Sequence, residues 1–310
     1  MTKYIIRRIS ISLLTIFVLV TATFFLLKLI PNGLFSDPKI SEEARERLKA
    51  LYGLDKSVVE QYFIYIKNLL HLDLGDSIAY PGRSVMTMIY DPQTGNGLPQ
   101  SMKLGAMSLI VSVFLGVGMG SVAGLNRGRA WDKVVIGIAL IGISVPSFIV
   151  AVSTVTLFGN TLGWLPTTGF STPKEMILPV FCLSLGTIAT LARLMRTSIV
   201  ELETADFIKT AKSNGLKKRT IILKYQIRNA LLPVVTVLGP ISATLLTGTF
   251  VVESVFNIKG LGSYFVDSIT SRDYGLIMGL TVLFGIFLVV ANLIVDIVYG
   301  FIDPRIRLNK

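Results

Sequence analysis

One cysteine and one histidine occur in 310 residues. Cys182 has no partner for an intrachain disulfide, and inside an apolar block it reads as a small packing residue rather than a reactive thiol. His71 has no Cys or His companion, which leaves no zinc-type ligand set and no Ser-His-Asp constellation. No stretch fits G-x-x-x-x-G-K-[ST], so nothing in this chain cradles ATP phosphates. Charge is scarce as well, at 16% of residues, where soluble domains carry about 25%. With no reactive cluster and no phosphate loop, a membrane enzyme is the weakest reading.

What the sequence has in abundance is apolar surface. Hydrophobic residues make up 52%, and the mean hydropathy is +0.66. A crossing helix needs about 20 mostly apolar residues. The apolar blocks predict six: Ile9–Ile30, Leu104–Leu125, Val134–Phe158, Ile177–Leu194, Leu231–Val252 and Leu276–Tyr299. The first follows Lys3, Arg7 and Arg8 in the manner of a signal peptide. Its apolar run exceeds the ~7–15 residues of a signal h-region and no A-x-A-like site follows, so it reads as a retained anchor. The fold class expected is an all-α integral membrane protein.

The net charge is +11, which could point to nucleic acid. The placement of the charge argues otherwise. Arg127, Arg129 and Lys133 lie between spans two and three. Lys209, Lys212, Lys217, Lys218, Arg219, Lys224 and Arg228 lie between spans four and five, and Arg305, Arg307 and Lys310 close the chain. With an even span count these connections and both termini share one side, the cytoplasmic one by the positive-inside rule. Segment 31–99 then lies outside as an insertion between the first two helices. Ser41 followed by Glu42, Glu43, Ala44, Leu48 and Leu51 reads as a capped amphipathic helix ending near Gly53, and Gln61–Leu70 as a second helix. A small ordered cap is expected there, with a flexible loop as the alternative.

Within the spans, Gly116, Gly120 and Gly124 form a small-residue stripe suited to close helix packing. Pro146 and Gly239-Pro240 are expected to kink their helices. Ionisable residues are few: Asp296, read as structural and paired with a basic loop residue, and Glu253 at the outer end of span five. A proton- or sodium-coupled carrier would more often show midplane carboxylates, so the energy for any transport is expected from elsewhere.

The most informative stretch is 196–233, too long for a tight connection and too regular for a disordered one. Thr204 as N-cap, with Asp206 in the first turn, predicts a helix start. Phe207, Ile208 and Ala211 make an apolar side, Lys209 and Lys212 a charged one, and Gly215 is placed to end the helix in the left-handed conformation. Such a helix either rests on lipid headgroups or docks a cytoplasmic partner. The pattern leaves both open.

The run Asp206-Phe207-Ile208-Lys209-Thr210-Ala211-Lys212-Ser213-Asn214-Gly215-Leu216, continued by Arg228-Asn229-Ala230-Leu231-Leu232-Pro233, resembles the coupling segment of importer-type ABC permeases of the oligopeptide/dipeptide/nickel subfamily. Relative to the general Glu-Ala-Ala signature only the final Ala and the Gly match, and the Leu-Pro lies farther on, as in the peptide-type subfamily. Tyr4-Ile5-Ile6-Arg7-Arg8, Tyr52-Gly53-Leu54-Asp55, Ser144-Val145-Pro146-Ser147-Phe148, Val251-Val252-Glu253, Gly260-Leu261-Gly262, Arg272-Asp273-Tyr274 and Asp303-Pro304-Arg305-Ile306 are similar to the same subfamily. Lys259 departs from it, where the family usually has Pro.

The resemblance is greatest to B-type oligopeptide permease subunits. It implies six transmembrane helices of the ABC type I importer kind, with an N-terminal tail and first helix (1–30), an extracellular segment (31–99) and a five-helix permease core (100–310). It also implies a second homologous permease, two cytoplasmic ATPase subunits that carry the ATP and Mg, and an extracellular substrate-binding protein. No cofactor or metal is expected in this chain. Asp206, Phe207, Lys209, Thr210, Ala211 and Gly215 would carry ATPase coupling. A permease for nickel or a metal–chelator complex shares the architecture, and an ATP-independent channel or secondary carrier is the alternative of another class. The location expected is the bacterial cell membrane.

Overall fold

The computed structural model describes residues 2–29, 46, 53, 55–80 and 82–302, with the side chains of 2–6, 8 and 295–302 excepted. The helix expected from Ser41 to Gly53, the motif around Tyr52 and Leu54, the Asp296 side chain and the Asp303–Ile306 motif lie outside the described residues. The described elements are helices and short turns. α1 is Thr2–Lys28, α2 Val58–Leu70, α3 Val85–Ile89, α4 Leu98–Leu125, α5 Ala130–Ser144 and α6 Ser147–Thr154. α7 is Pro173–Leu202, α8 Asp206–Ser213, α9 Lys218–Thr220, α10 Arg228–Leu246, α11 Phe250–Val255, α12 Leu261–Thr270 and α13 Tyr274–Ile302.

Five crossings follow the predicted blocks: Ile9–Lys28, Leu98–Leu125, Pro173–Leu202, Lys218–Val255 and Tyr274–Ile294. The third predicted span is not one kinked helix. α5 and α6, which continues into a wide π-helical turn at Val155–Thr161, meet at 102°. Pro146 has no amide hydrogen and pushes the residue before it out of helical geometry, and Val145 is accordingly extended. The broken pair still carries the chain from one end of the bundle to the other. Asp132 in its first turn is bonded to Arg196 at one end, and beyond its far end the Gly169 amide donates to the Phe256 carbonyl. Counted so, there are six crossings. Proline alone does not dictate the break: α7 runs on past Pro179, and α10 past Pro233 and Pro240.

The core is a stack of helix contacts. α4 lies against α7 where Gly116, Gly120 and Gly124 face Leu191, Met195 and Ile199; a Cβ on each glycine would lie 2.8 Å from the Cβ of its partner. The absence of side chains lets the two backbones approach, so dispersion acts along the whole stripe. Near the end that carries α2, Leu104, Leu178, Val252 and Phe256 close a second cluster.

That end is tied down by polar groups hidden from solvent. Asp273 accepts from the Ser77 hydroxyl, from the Ile78 amide at 3.1 Å and from the Leu276 amide at 3.1 Å. It thereby caps α13 and holds the turn before α3 against it. The Gly97 amide donates to the Lys259 carbonyl at 2.8 Å. Glu253, fully buried, accepts from Ser101 Oγ at 2.7 Å and from the Ser263 amide at 2.9 Å.

Candidate functional site

At the opposite end, α7 gives way to α8 through a single turn. Ala205, extended, is the N-cap and offers no side-chain bond. Thr204 is therefore not the cap expected from the sequence: its hydroxyl turns back to the Glu201 carbonyl, at 3.4 Å. Asp206 occupies the first turn, where the helix's positive end favours a carboxylate. At the other terminus Gly215 sits at φ +70°. The Gly215 amide reaches the Lys212 carbonyl at 3.0 Å and the Leu216 amide the Ala211 carbonyl at 3.2 Å, which satisfies two of the acceptors in the helix's last turn.

The six residues singled out from sequence fall into three groups. Asp206, Phe207, Lys209 and Thr210 are exposed on the outward face. Phe207 leaves the apolar side predicted for it, since 41% of its surface is open. Ala211 faces inward with Ile208, and both pack on Ile221 with Ala205 and Tyr225 beside them. Gly215 forms the turn. On the outward face Lys209 Nζ lies 3.0 Å from Asp206 Oδ1. Both side chains are largely solvated, so the pair contributes little to stability. Thr210 returns its hydroxyl to the Asp206 carbonyl at 2.9 Å.

Two features at this end of the bundle have no signature in the sequence reading. The first is a π-helical stretch, Ile221–Ile227, between α9 and α10. Its wider turn brings Ile221 under α8, and such turns often mark functional sites. Gln226, on the same stretch, donates from Nε2 to the Ile199 carbonyl of α7 at 3.2 Å. The second is the Asp132–Arg196 ion pair, which joins the start of α5 to α7, with the Gly128 amide bonded to Asp132 Oδ2 at 2.8 Å. Patterning could not find it, because the partners lie 64 residues apart. The exposed cations Lys209, Lys212, Lys217, Lys218, Arg219 and Lys224 gather around this end. Among the described residues no group of three or more His, Cys, Asp or Glu side chains is placed to hold a metal.

Five long apolar helices, six when the broken pair counts as one crossing, with a short helix set between two of them, define a multi-pass membrane protein. The family described as the binding-protein-dependent transport system inner membrane component matches residues 116–308, and its N-terminal counterpart residues 1–80. The chain belongs to this family. It is 41% identical to the dipeptide transport system permease protein DppB of Bacillus subtilis over 100% of its own length and 99% of that protein's. It is 41% identical to the oligopeptide transport system permease protein OppB of Haemophilus influenzae, over 99% of this chain and 100% of that one. With the OppB of Escherichia coli the identity is 39% at the same coverage.

Proposed function

We propose that this chain is a permease subunit of an ATP-driven peptide importer, forming half of the translocation pathway and coupling to ATPase subunits through α8. The carrying observation is the build of α8. Its inner residues, Ile208 and Ala211, are locked onto Ile221, and its outer residues, Asp206, Phe207, Lys209 and Thr210, are open to a partner. An exposed Phe on a rigidly held, capped helix offers an apolar anchor for a groove. Force applied there passes to α7 through the single turn at 203–205, and to α10 through the π-helical stretch, as a lever between two bistable assemblies requires. Ala211 acts in this scheme by seating the helix rather than by touching the partner.

ATP hydrolysis belongs to the partners, since no phosphate-binding loop is present here. A second permease completes the pathway and a binding protein delivers peptide, the cargo named for the relatives. The basic end of the bundle, with both termini, faces the cytoplasm by the charge rule. The test is co-expression with candidate neighbouring subunits. Wild type is expected to copurify an ATPase, and Phe207→Ala to lose it while the membrane fold is kept. Robust uptake in reconstituted vesicles with no ATPase present would overturn the reading in favour of a channel or carrier.

A further inference from the structure

α2 lies deeper than a cap on the membrane surface would. The Tyr62 hydroxyl is 2.8 Å from Thr21 Oγ1 of α1. Tyr65, Ile66 and Leu69 belong to the cluster of Val20, Phe24, Met278 and Val282. The crossing part of α1, Ile9–Lys28, has 20 residues, about 30 Å of helix and the thickness of the hydrocarbon core. Thr21 precedes Lys28 by two turns, about 10 Å. Met278 and Val282 sit in the first turns of α13. α2 is therefore held level with the last two turns of one crossing helix and the opening turns of another.

At that depth α2 presents three faces. One is the protein face just described. A second carries Glu60, Gln61, Lys67 and Asn68, with Ile64 among them. The third is an apolar stripe that leaves the bundle: Val59, Phe63 and Leu70 are 58%, 65% and 79% exposed. It lies beside exposed apolar residues at the end of α1. Tyr62 meets the ring of Phe25 at 5.4 Å, and Phe25 and Leu26 in the last turn of α1, with Leu29 just past its end, are exposed. Lys28 Nζ is bonded to Gln61 Oε1, on the polar face. A helix with an apolar stripe sunk by roughly 5–10 Å and a polar face turned to the headgroups is the interfacial arrangement.

We infer that α2 is embedded in the bilayer surface, with phospholipid acyl chains covering Val59, Phe63 and Leu70. The inference stands on the contacts of α2 with α1 and α13 and is independent of the docking role of α8. The test uses the full chain assembled with its copurifying subunits in phosphatidylethanolamine/phosphatidylglycerol vesicles, with Cys182→Ser removing the native thiol. Spin labels are placed one at a time at Val59, Phe63, Leu70 and Lys67, so that failure of one variant to fold leaves the others readable. The expected result is a several-fold higher ratio of collisions with oxygen to collisions with a soluble nickel chelate at 59, 63 and 70 than at 67. Equal nickel access at all four positions would place α2 in water. Low access to both quenchers at 59, 63 and 70 would mean that protein covers the stripe. Either result overturns the inference.

Discussion

Arg196 grips Asp132 through two separate nitrogens: Nε reaches Oδ1 at 3.1 Å and Nη2 reaches Oδ2 at 2.9 Å. The Asp132 side chain is 4% exposed and the Arg196 side chain 24%. Paired parallel bonds to a nearly buried carboxylate fix orientation as well as distance. The pair ties the start of α5, and the Gly128 turn before it, to α7 close to the point where α7 passes into α8.

Removing one partner leaves the other charge poorly solvated. Breaking a fully buried pair costs about 3–5 kcal/mol and a surface pair less than about 1 kcal/mol. The partial exposure of Arg196 puts Asp132→Ala at about 2–3 kcal/mol of lost stability. Trp131 adjoins the site, so tryptophan fluorescence during denaturant unfolding in detergent can read the change. The double exchange Asp132→Arg with Arg196→Asp should recover part of the loss. It should not recover all, because the Gly128 amide then loses its acceptor.

The zipper between α4 and α7 makes a position-specific prediction. At Gly120 a Cβ would sit 2.8 Å from Met195 Cβ and 3.0 Å from Ala192 Cα, whereas at Gly118 it would meet nothing within 4 Å. Gly120→Ala should therefore destabilise the bundle by about 1–3 kcal/mol through overpacking. Gly118→Ala, two positions away on the open side, should be neutral or gain up to about 1 kcal/mol of helix propensity. Thermal unfolding of the two variants in one detergent distinguishes them, and equal effects would mean that the stripe is not a packing seam.

The stripe was readable in the sequence because its spacing is local: Gly116, Gly120 and Gly124 share a face whatever they pack against. The same holds for Gly215, whose role depends only on the end of its own helix. Pro146 marked where the third span breaks, but the 102° bend depends on how α5 and α6 each pack on the rest of the bundle. Glu253 stood out by its charge, yet its partner Ser101 is 152 residues away in the chain. Asp132–Arg196 and the π-helical stretch left no local trace, since one is a long-range pair and the other a change in hydrogen-bond register. Thr204 was misread for the opposite reason: a hydroxyl beside a helix start has two local options, and here it bonds backward to Glu201.

Gly215 separates backbone strain from crowding. Its φ is +70°, and a Cβ there would meet nothing within 4 Å. Space is therefore no obstacle, and the cost comes from the left-handed backbone alone, about 1–2 kcal/mol for an ordinary residue. Asn and Asp tolerate that region better than β-branched residues. Gly215→Asn should keep most uptake per ATP hydrolysed, Gly215→Val should lose most of it, and both should insert normally. Gly215→Asp should be as stable as Gly215→Asn in thermal unfolding. If its uptake nevertheless falls far below that of Gly215→Asn, the added charge rather than strain uncouples it, and the turn itself must face the ATPase.

Glu253 offers the test at the other end of the molecule. Its Oε1 takes the Ser101 hydroxyl and its Oε2 the Ser263 amide, while Ser101 Oγ in turn accepts the Leu261 amide at 2.7 Å. Two first-turn donors of α12 are thus satisfied by one carboxyl and one hydroxyl carried on α11 and α4. Glu253→Gln can keep the Ser263 bond, but its amide nitrogen then faces Ser101 Oγ and displaces that hydroxyl's hydrogen, a loss of about one bond or roughly 1 kcal/mol. Glu253→Ala removes both acceptors from a fully buried site and should cost about 1–3 kcal/mol for each donor left without a partner. Amide hydrogen exchange across Leu261–Ser263 reads this locally. Protection at Ser263 should fall modestly in Gln and steeply in Ala, whereas Ser101→Ala should lower protection at Leu261, whose amide it leaves without an acceptor. Unchanged exchange in Glu253→Ala would mean that the carboxyl is not what protects the Ser263 amide, and that the junction of α4, α11 and α12 does not depend on it.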